Sequence, residues 1–275
     1  MYEQYWQLSE KPFDGASCAR FYYPGQSHQA ALLKLRYAVE NHRGGALLSG
    51  PAGSGKTLAA RMLRSVLDEG FSPWVHLVFP QMTTSELLAY LADELCGTVA
   101  EDGHDCDGPE RSVRRMERFL AENCRRGQHA VVIIDEAHLI HSPHTLEAIR
   151  LLLNFEFDGR AAMTLLLCAQ PAILPILQRT PQLEERLAVK CLLRAFSQQE
   201  TAEYIEHRLR AAGAKRMLFE PEAVNTIHAL ANGIARRINR LCDLALLIGF
   251  AEQQQTISAE LVEAVHQELV SVVPE

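Results

Sequence analysis

Short, unbroken apolar runs alternate with segments of helical period through the first two thirds of the chain. Runs at 46–49, 74–79, 130–134, 163–169 and 188–193 have strand length and are apolar at nearly every position rather than at every second one. Strands of that kind are buried on both faces, which predicts a parallel sheet covered by helices. Between them, 29–39 carries Leu32, Leu35 and Val39 on one face, and Gly44-Gly45 ends it. Further helices are predicted at 58–67, 85–95, 110–124 and 143–155, so strand and helix alternate in the manner of an α/β domain.

After Arg194 the pattern changes to helices alone, at 198–212, 220–231, 236–251 and 258–269, with Gly213 and Gly233 as punctuation. Ser197 and Ser258 are placed to cap two of them. The start of the chain is different again. It is rich in aromatics, among them Tyr2, Tyr5, Trp6, Phe13, Tyr22 and Tyr23, and in turn-forming prolines and glycines. The expected organisation is therefore an aromatic N-terminal segment, 1–28, packed on an α/β domain, 29–194, and then an all-helical domain, 195–275.

One stretch carries chemistry outright. Gly50-Pro51-Ala52-Gly53-Ser54-Gly55-Lys56-Thr57 fits the phosphate-loop spacing G-x-x-x-x-G-K-[ST]. Its glycines let the backbone curl so that successive N–H groups point inward at phosphate oxygens. Lys56 then reaches the β- and γ-phosphates, the Thr57 hydroxyl is a ligand for Mg²⁺, and a helix starting near Gly55 aims its positive end at the same anion. The predicted cofactors are ATP and Mg²⁺.

About eighty residues on, the 130–134 run ends in Asp135-Glu136. Open α/β sheets bind ligands at the carboxyl ends of their strands. There Asp135 is expected to hold the metal through water, and Glu136 to polarise the attacking water. Phosphoryl transfer needs little beyond such placement and charge neutralisation. Gln170 ends the 163–169 strand and is a candidate for touching the γ-phosphate or the lytic water. Arg186 precedes the last strand; its fork suits phosphate oxygens, and it is expected to reach the site of a neighbouring subunit. Asp135-Glu136-Ala137-His138 has the letters of a helicase box, but such helicases use two nucleotide domains in tandem and a single phosphate loop is present. His138 is expected at a helix start, where it can couple the site to a neighbour. Tyr22, Tyr23 and His28 are candidates for the adenine side.

Composition narrows the rest. The 275 residues are 48% hydrophobic and 22% charged, enough for a sizeable core. The net charge of −7 argues against coating nucleic acid through bulk charge. Seven scattered cysteines with no C-x-x-C pair read as reduced thiols. His104, Asp105 and Cys106 lack a second cluster at ligand spacing and read as a polar loop within 97–109. No leader-like start or spanning apolar run is present, so direct membrane insertion is not expected and the predicted location is cytoplasmic.

Taken together, these motifs resemble AAA+ ATPases, and within them the general-secretion-pathway protein A (ExeA-like) family. The resemblance covers essentially the whole chain: Lys11-Pro12-Phe13, the phosphate loop, Asp135 to His138, Leu167 to Pro171, Glu185-Arg186-Leu187, and Gly233 to Asp243. It implies a P-loop AAA+ core with a five-stranded parallel sheet and a C-terminal helical lid. It also implies Gln170 as first sensor, Arg186 as an arginine finger acting in trans, and Arg236 as second sensor reaching from the lid to the γ-phosphate. The family usually has proline where Ala235 stands, which loosens the expected turn before Arg236. Larger members carry a membrane helix and a peptidoglycan-binding domain after the ATPase; neither occurs in these 275 residues.

Two classes of function follow. The first is a motor or switch ATPase that self-associates into a ring or filament. The resemblance implies a client protein in a secretion, pilus or exopolysaccharide envelope system. The second is a DNA-associated ATPase of the kind that selects transposon targets. Arg111, Arg114, Arg115 and Arg118 form a stripe on the 110–124 helix that suits a phosphate backbone. The same stripe, diluted by Glu110, Glu117 and Glu122, also reads as a solvated face of i,i+4 pairs.

Overall fold

The computed structural model describes residues 1–14, 19–97 and 108–271. His104, Asp105 and Cys106 lie outside the described residues, as does Cys18. Contacts divide the chain into two units, one of 30–50 and 59–193 and the other of 1–29, 51–58 and 194–275.

The first unit is built on β1 (Gly45–Ser49), β2 (Trp74–Leu77), β3 (Ala130–Ile134), β6 (Met163–Ala169) and β7 (Leu187–Leu192), paired in parallel in the order β2-β3-β6-β1-β7 among the described residues. The three inner strands are buried at every position, whereas the two edge strands alternate. That difference is what the sheet's edges impose: an inner parallel strand meets helices on both faces, an edge strand only partly. One face packs α3 (Thr84–Cys96), α4 (Pro109–Arg125) and α5 (Pro143–Leu152) through Leu87, Leu91, Met116, Leu120 and Ile149. The other packs α1 (Gln26–Glu40) and α2 (Lys56–Ser65) through Leu35, Ala38, Ala59 and Leu63.

Several small elements were not expected from the sequence. A two-stranded hairpin, β4 (Glu156–Phe157) with β5 (Arg160–Ala161), precedes β6. Two six-residue helices, α6 (Ile173–Gln178) and α7 (Pro181–Arg186), fill the connection to β7. Helical period is not visible over a turn and a half, which is why the pattern passes over them.

At the amino ends of the strands lies a polar chain, half-buried at His42 and buried at His129 and Thr164. His42 Nδ1 and His129 Nδ1 are 2.8 Å apart, and His129 Nε2 meets Thr164 Oγ1 at 2.9 Å. Burial first, and then the neighbouring His42, push the His129 pKa down to about 3.

The second unit centres on α8 (Gln198–Ala211), α9 (Pro221–Ala231), α10 (Ala235–Ala251) and α11 (Ala259–Ser271). Ser197 caps α8 in a reciprocal box with Glu200, and Ser258 Oγ accepts from the Leu261 N–H at 3.4 Å. The aromatic N-terminal segment, expected on the α/β domain, is instead buried among these helices. Tyr2, Trp6, Leu8, Phe13 and Phe21 share a core with Ile205, Leu209, Ile238 and Leu246. The indole N–H of Trp6 donates to Leu246 O at 2.9 Å, and the Tyr2 hydroxyl bonds Asp243. Arg208 fixes the segment from inside, donating to Pro12 O at 2.5 Å and to Asp14 O at 3.0 Å while lying over the rings of Phe13 and Phe21. The physical reason is area. Large aromatic rings bury most where they meet extensive apolar surface, and α8–α11 supply it through Ile205, Leu209, Ile238 and Leu246.

Five cysteines, 96, 124, 168, 191 and 242, are free thiols. Among the described residues no helix is long and apolar enough to cross a membrane.

Candidate nucleotide site

The phosphate loop leaves β1 and enters α2, whose first residue is Lys56, two positions earlier than its apolar face alone suggests. Gly53 and Gly55 take φ of +76° and +95°, the left-handed region that side-chain-bearing residues resist. At Gly53 the space also excludes a side chain: a Cβ there would lie 2.7 Å from the Cβ of Arg236. The Arg236 N–H donates to Gly53 O at 3.1 Å, so the second-sensor candidate, exposed in the first turn of α10, is tied by its backbone to the loop. Lys56 is 5% exposed and its Nζ donates to Pro51 O at 3.0 Å, across the bight of the loop. His28 supports the loop from α1, with Nε2 2.8 Å from Ser54 O. A carbonyl only accepts, so Nε2 carries the proton. Burial lowers the His28 pKa and keeps the ring neutral.

The acid pair sits at the carboxyl edge of the sheet, and its two members diverge. Asp135 is buried, its N–H donating to Leu77 O at 2.8 Å, and its Oδ2 lies 3.5 Å from His76 Nε2 on β2. At that separation the two side chains are in polar contact without a hydrogen bond, since His76 Nε2 makes none. Glu136 takes a left-handed φ of 49°, and its side chain, 42% exposed, turns to His138, with Oε2 3.4 Å from Nδ1. His138 sits in a single 3₁₀ turn, Ala137–Leu139, rather than at the start of a longer helix. The Gln170 N–H donates to the same Nδ1 at 3.3 Å. Gly50, where the loop begins, donates to Ala169 O at 3.1 Å, beside Gln170. The ends of β3, β6 and β1 thus converge on neighbouring positions.

Arg186 lies elsewhere. It is exposed at the end of α7, and Leu187 pairs with Gly45 at the amino end of β1. Five strand residues, about 16 Å, separate that end from the carboxyl edge. The geometry does not bring Arg186 to the acid pair of its own sheet. His76 was not singled out in the sequence; a histidine in an otherwise apolar strand was the available signal.

Two arginines of the stripe are paired with acids: Arg114 bonds Glu110 at 2.6 Å and Arg115 bonds Asp93 at 3.0 Å. At the end of the same helix, Arg125 and Arg126 both meet Glu122. Among the described residues no group of three or more His, Cys, Asp or Glu side chains could hold a metal.

Residues 39–177, about half the chain, match the AAA domain family. The chain belongs to that family. This AAA protein is also 33% identical, over 94% of its length, to General secretion pathway protein A of Aeromonas hydrophila, and it spans 46% of that longer relative. Its fold is similar to Cdc6p of Pyrobaculum aerophilum, with a TM-score of 0.73 at 16% identity over 96% of this chain and 74% of the other. It is likewise similar to the Aeropyrum pernix ORC2 protein in ADPNP-ADP complexes, with 0.70 at 18% over 97% and 73%. The Thermotoga maritima RuvB branch migration motor follows, with 0.60 at 19% over 89% and 69%. The five-stranded parallel sheet is the AAA+ fold, and ATPase-type nucleotide chemistry is the general function of the family.

Proposed function

We propose that this AAA protein binds and hydrolyses ATP with Mg²⁺, and that it acts as a self-associating motor or switch on a client protein of a secretion or related envelope system. The reading rests above all on the loop 50–57, which runs off a buried strand into a helix with two glycines in the left-handed region. The residue types fit the ligands. The left-handed Gly53 and Gly55, which curl the loop, and the ammonium of Lys56 suit a triphosphate. The Thr57 hydroxyl and the Asp135 carboxylate are hard oxygen donors of the kind Mg²⁺ takes, and the ion supplies charge neutralisation on the phosphates.

In this reading Lys56 holds the β- and γ-phosphates. Glu136 accepts the proton of the attacking water. Gln170 orients that water or the γ-phosphate, and Arg236 reports the γ-phosphate to α10. A neighbour's Arg186 completes the site, a contribution worth ~10³–10⁵ in rate. Its distance from its own sheet's acid pair supports action in trans. The secretion client comes from the similarity to General secretion pathway protein A, and cytoplasmic work with membrane contact through a partner accords with it.

The test is phosphate release by the purified chain with and without Mg²⁺, beside Glu136→Gln. Turnover that needs Mg²⁺ and disappears in Glu136→Gln, with ATP binding retained, is the expected result. Undiminished turnover in Glu136→Gln overturns the assignment.

The DNA-associated reading ranks second. Neighbours of the same fold include an Aeropyrum pernix ORC1 protein in complex with DNA and Drosophila ORC bound to DNA. The pairing of Arg114 and Arg115 with acids weighs against a stripe available to phosphates. Duplex binding that falls steeply with salt in the presence of ATP would revive it.

A further inference from the structure

His138 Nδ1 has two suitors. The Gln170 N–H donates to it at 3.3 Å, and the Glu136 carboxylate lies 3.4 Å from it. A ring nitrogen in the plane of an imidazole has one site, and it holds either a lone pair or a proton. With the lone pair it accepts from Gln170 and offers nothing to Glu136. With the proton it donates to Glu136 and must release Gln170. The neutral ring passes between these states by exchanging tautomers, with no change of charge. His138 is 9% exposed, so water competes poorly for the nitrogen. The partners are placed to feel the choice. Gln170 is the first residue past β6, and its carbonyl accepts from Ile173 at the start of α6. The Glu136 side chain is 42% exposed, so a lost contact leaves its carboxylate free to turn.

We propose that His138 is a positioning residue that holds Glu136 and Gln170 in alternation. In one tautomer it draws the Glu136 carboxylate aside. In the other it binds the end of β6 and leaves the carboxylate to the attacking water. Occupancy of the site sensed at Gln170 is thereby converted into readiness of Glu136. The proposal rests on the reading of Glu136 as general base.

Three variants of the full chain separate the outcomes: His138→Phe, His138→Asn and Glu136→Gln. ATP binding is measured with a fluorescent analogue, and kcat and KM by phosphate release. His138→Phe frees Glu136 but leaves Gln170 and the end of β6 without their anchor, and the expected result is a kcat lower by about tenfold, with KM and the analogue's Kd within about twofold. An Asn amide presents either an oxygen or an N–H by turning over, and His138→Asn should recover to within about threefold of the parent. A His138→Phe kcat within twofold of the parent overturns the proposal. So does a Kd that weakens in step with kcat, or a His138→Asn as slow as His138→Phe. Full turnover in Glu136→Gln removes the general base itself, whatever His138 does; loss there with an active His138→Phe removes only the coupling. Should His138→Phe fail to fold, nitrogen-15 NMR of the parent protein decides. A shift of the His138 tautomer between the free protein and its complex with a non-hydrolysable ATP analogue supports the proposal, and one fixed tautomer in both overturns it.

Discussion

Gly53 and Arg236 are joined backbone to backbone: the Arg236 N–H donates to Gly53 O at 3.1 Å, and no side chain fits between them. The phosphate loop and the first turn of α10 are therefore one piece of structure. Gly53→Ala should impair both. The left-handed φ alone costs about 1–2 kcal/mol for an L residue, and the Cβ clash adds to it. A loss of ATP affinity of at least about tenfold in a titration is expected, together with a lower melting temperature.

Lys56→Ala should abolish ATP binding, since the ammonium is the loop's one side-chain contribution to phosphate charge. Retained tight binding of a fluorescent ATP analogue would count against the phosphate-loop assignment.

Arg186→Ala should bind ATP normally and hydrolyse it ~10³-fold or more slowly. Mixed with Lys56→Ala protein, it should regain part of its activity, because each variant supplies what the other lacks. Equal inactivity of the mixture and of the separate variants would show that Arg186 does not act across an interface.

Acid should weaken the fold through the histidine chain. His129 has a folded pKa near 3, against about 6.5 in an unfolded chain. The unfolded state therefore binds more protons, and the stability His129 contributes is complete above pH 6.5. It is lost as pH falls from 6.5 toward 3, by up to about 1.4 kcal/mol per pH unit. His42, also lowered by burial, adds in the same direction. Urea unfolding at pH 7.5, 6.5 and 5.5 should show this slope, and His129→Phe should flatten it.

Arg208→Met keeps the volume but removes both bonds to the N-terminal segment and the contacts with Phe13 and Phe21. A destabilisation of about 1–3 kcal/mol is expected, because the carbonyls of Pro12 and Asp14 lose their donor. Limited proteolysis should then cut within the first fourteen residues, which the parent protects.

The strands and long helices were legible because their patterns are clean. Residues 130–134 are apolar throughout, 163–169 at every position but Thr164, and both are strands to the residue. The loop 50–57 was legible because its spacing is dictated by phosphate geometry. Three things were not. The side of the molecule that Trp6 and Phe13 choose depends on a surface formed by residues two hundred positions away. The opposite headings of Asp135 and Glu136 come from a backbone angle that no periodicity encodes. His76 meets Asp135 because β2 and β3 are neighbours, which strand order decides and local sequence does not.

The burial of Tyr2, Trp6 and Phe13 against α8–α11 also has a consequence in time. These rings have nowhere to go until residues 194–271 have followed them out of the ribosome, a wait of roughly 10–50 s at ordinary rates of synthesis. Through that interval the nascent chain presents a cluster of bare aromatics, a natural foothold for a holding chaperone.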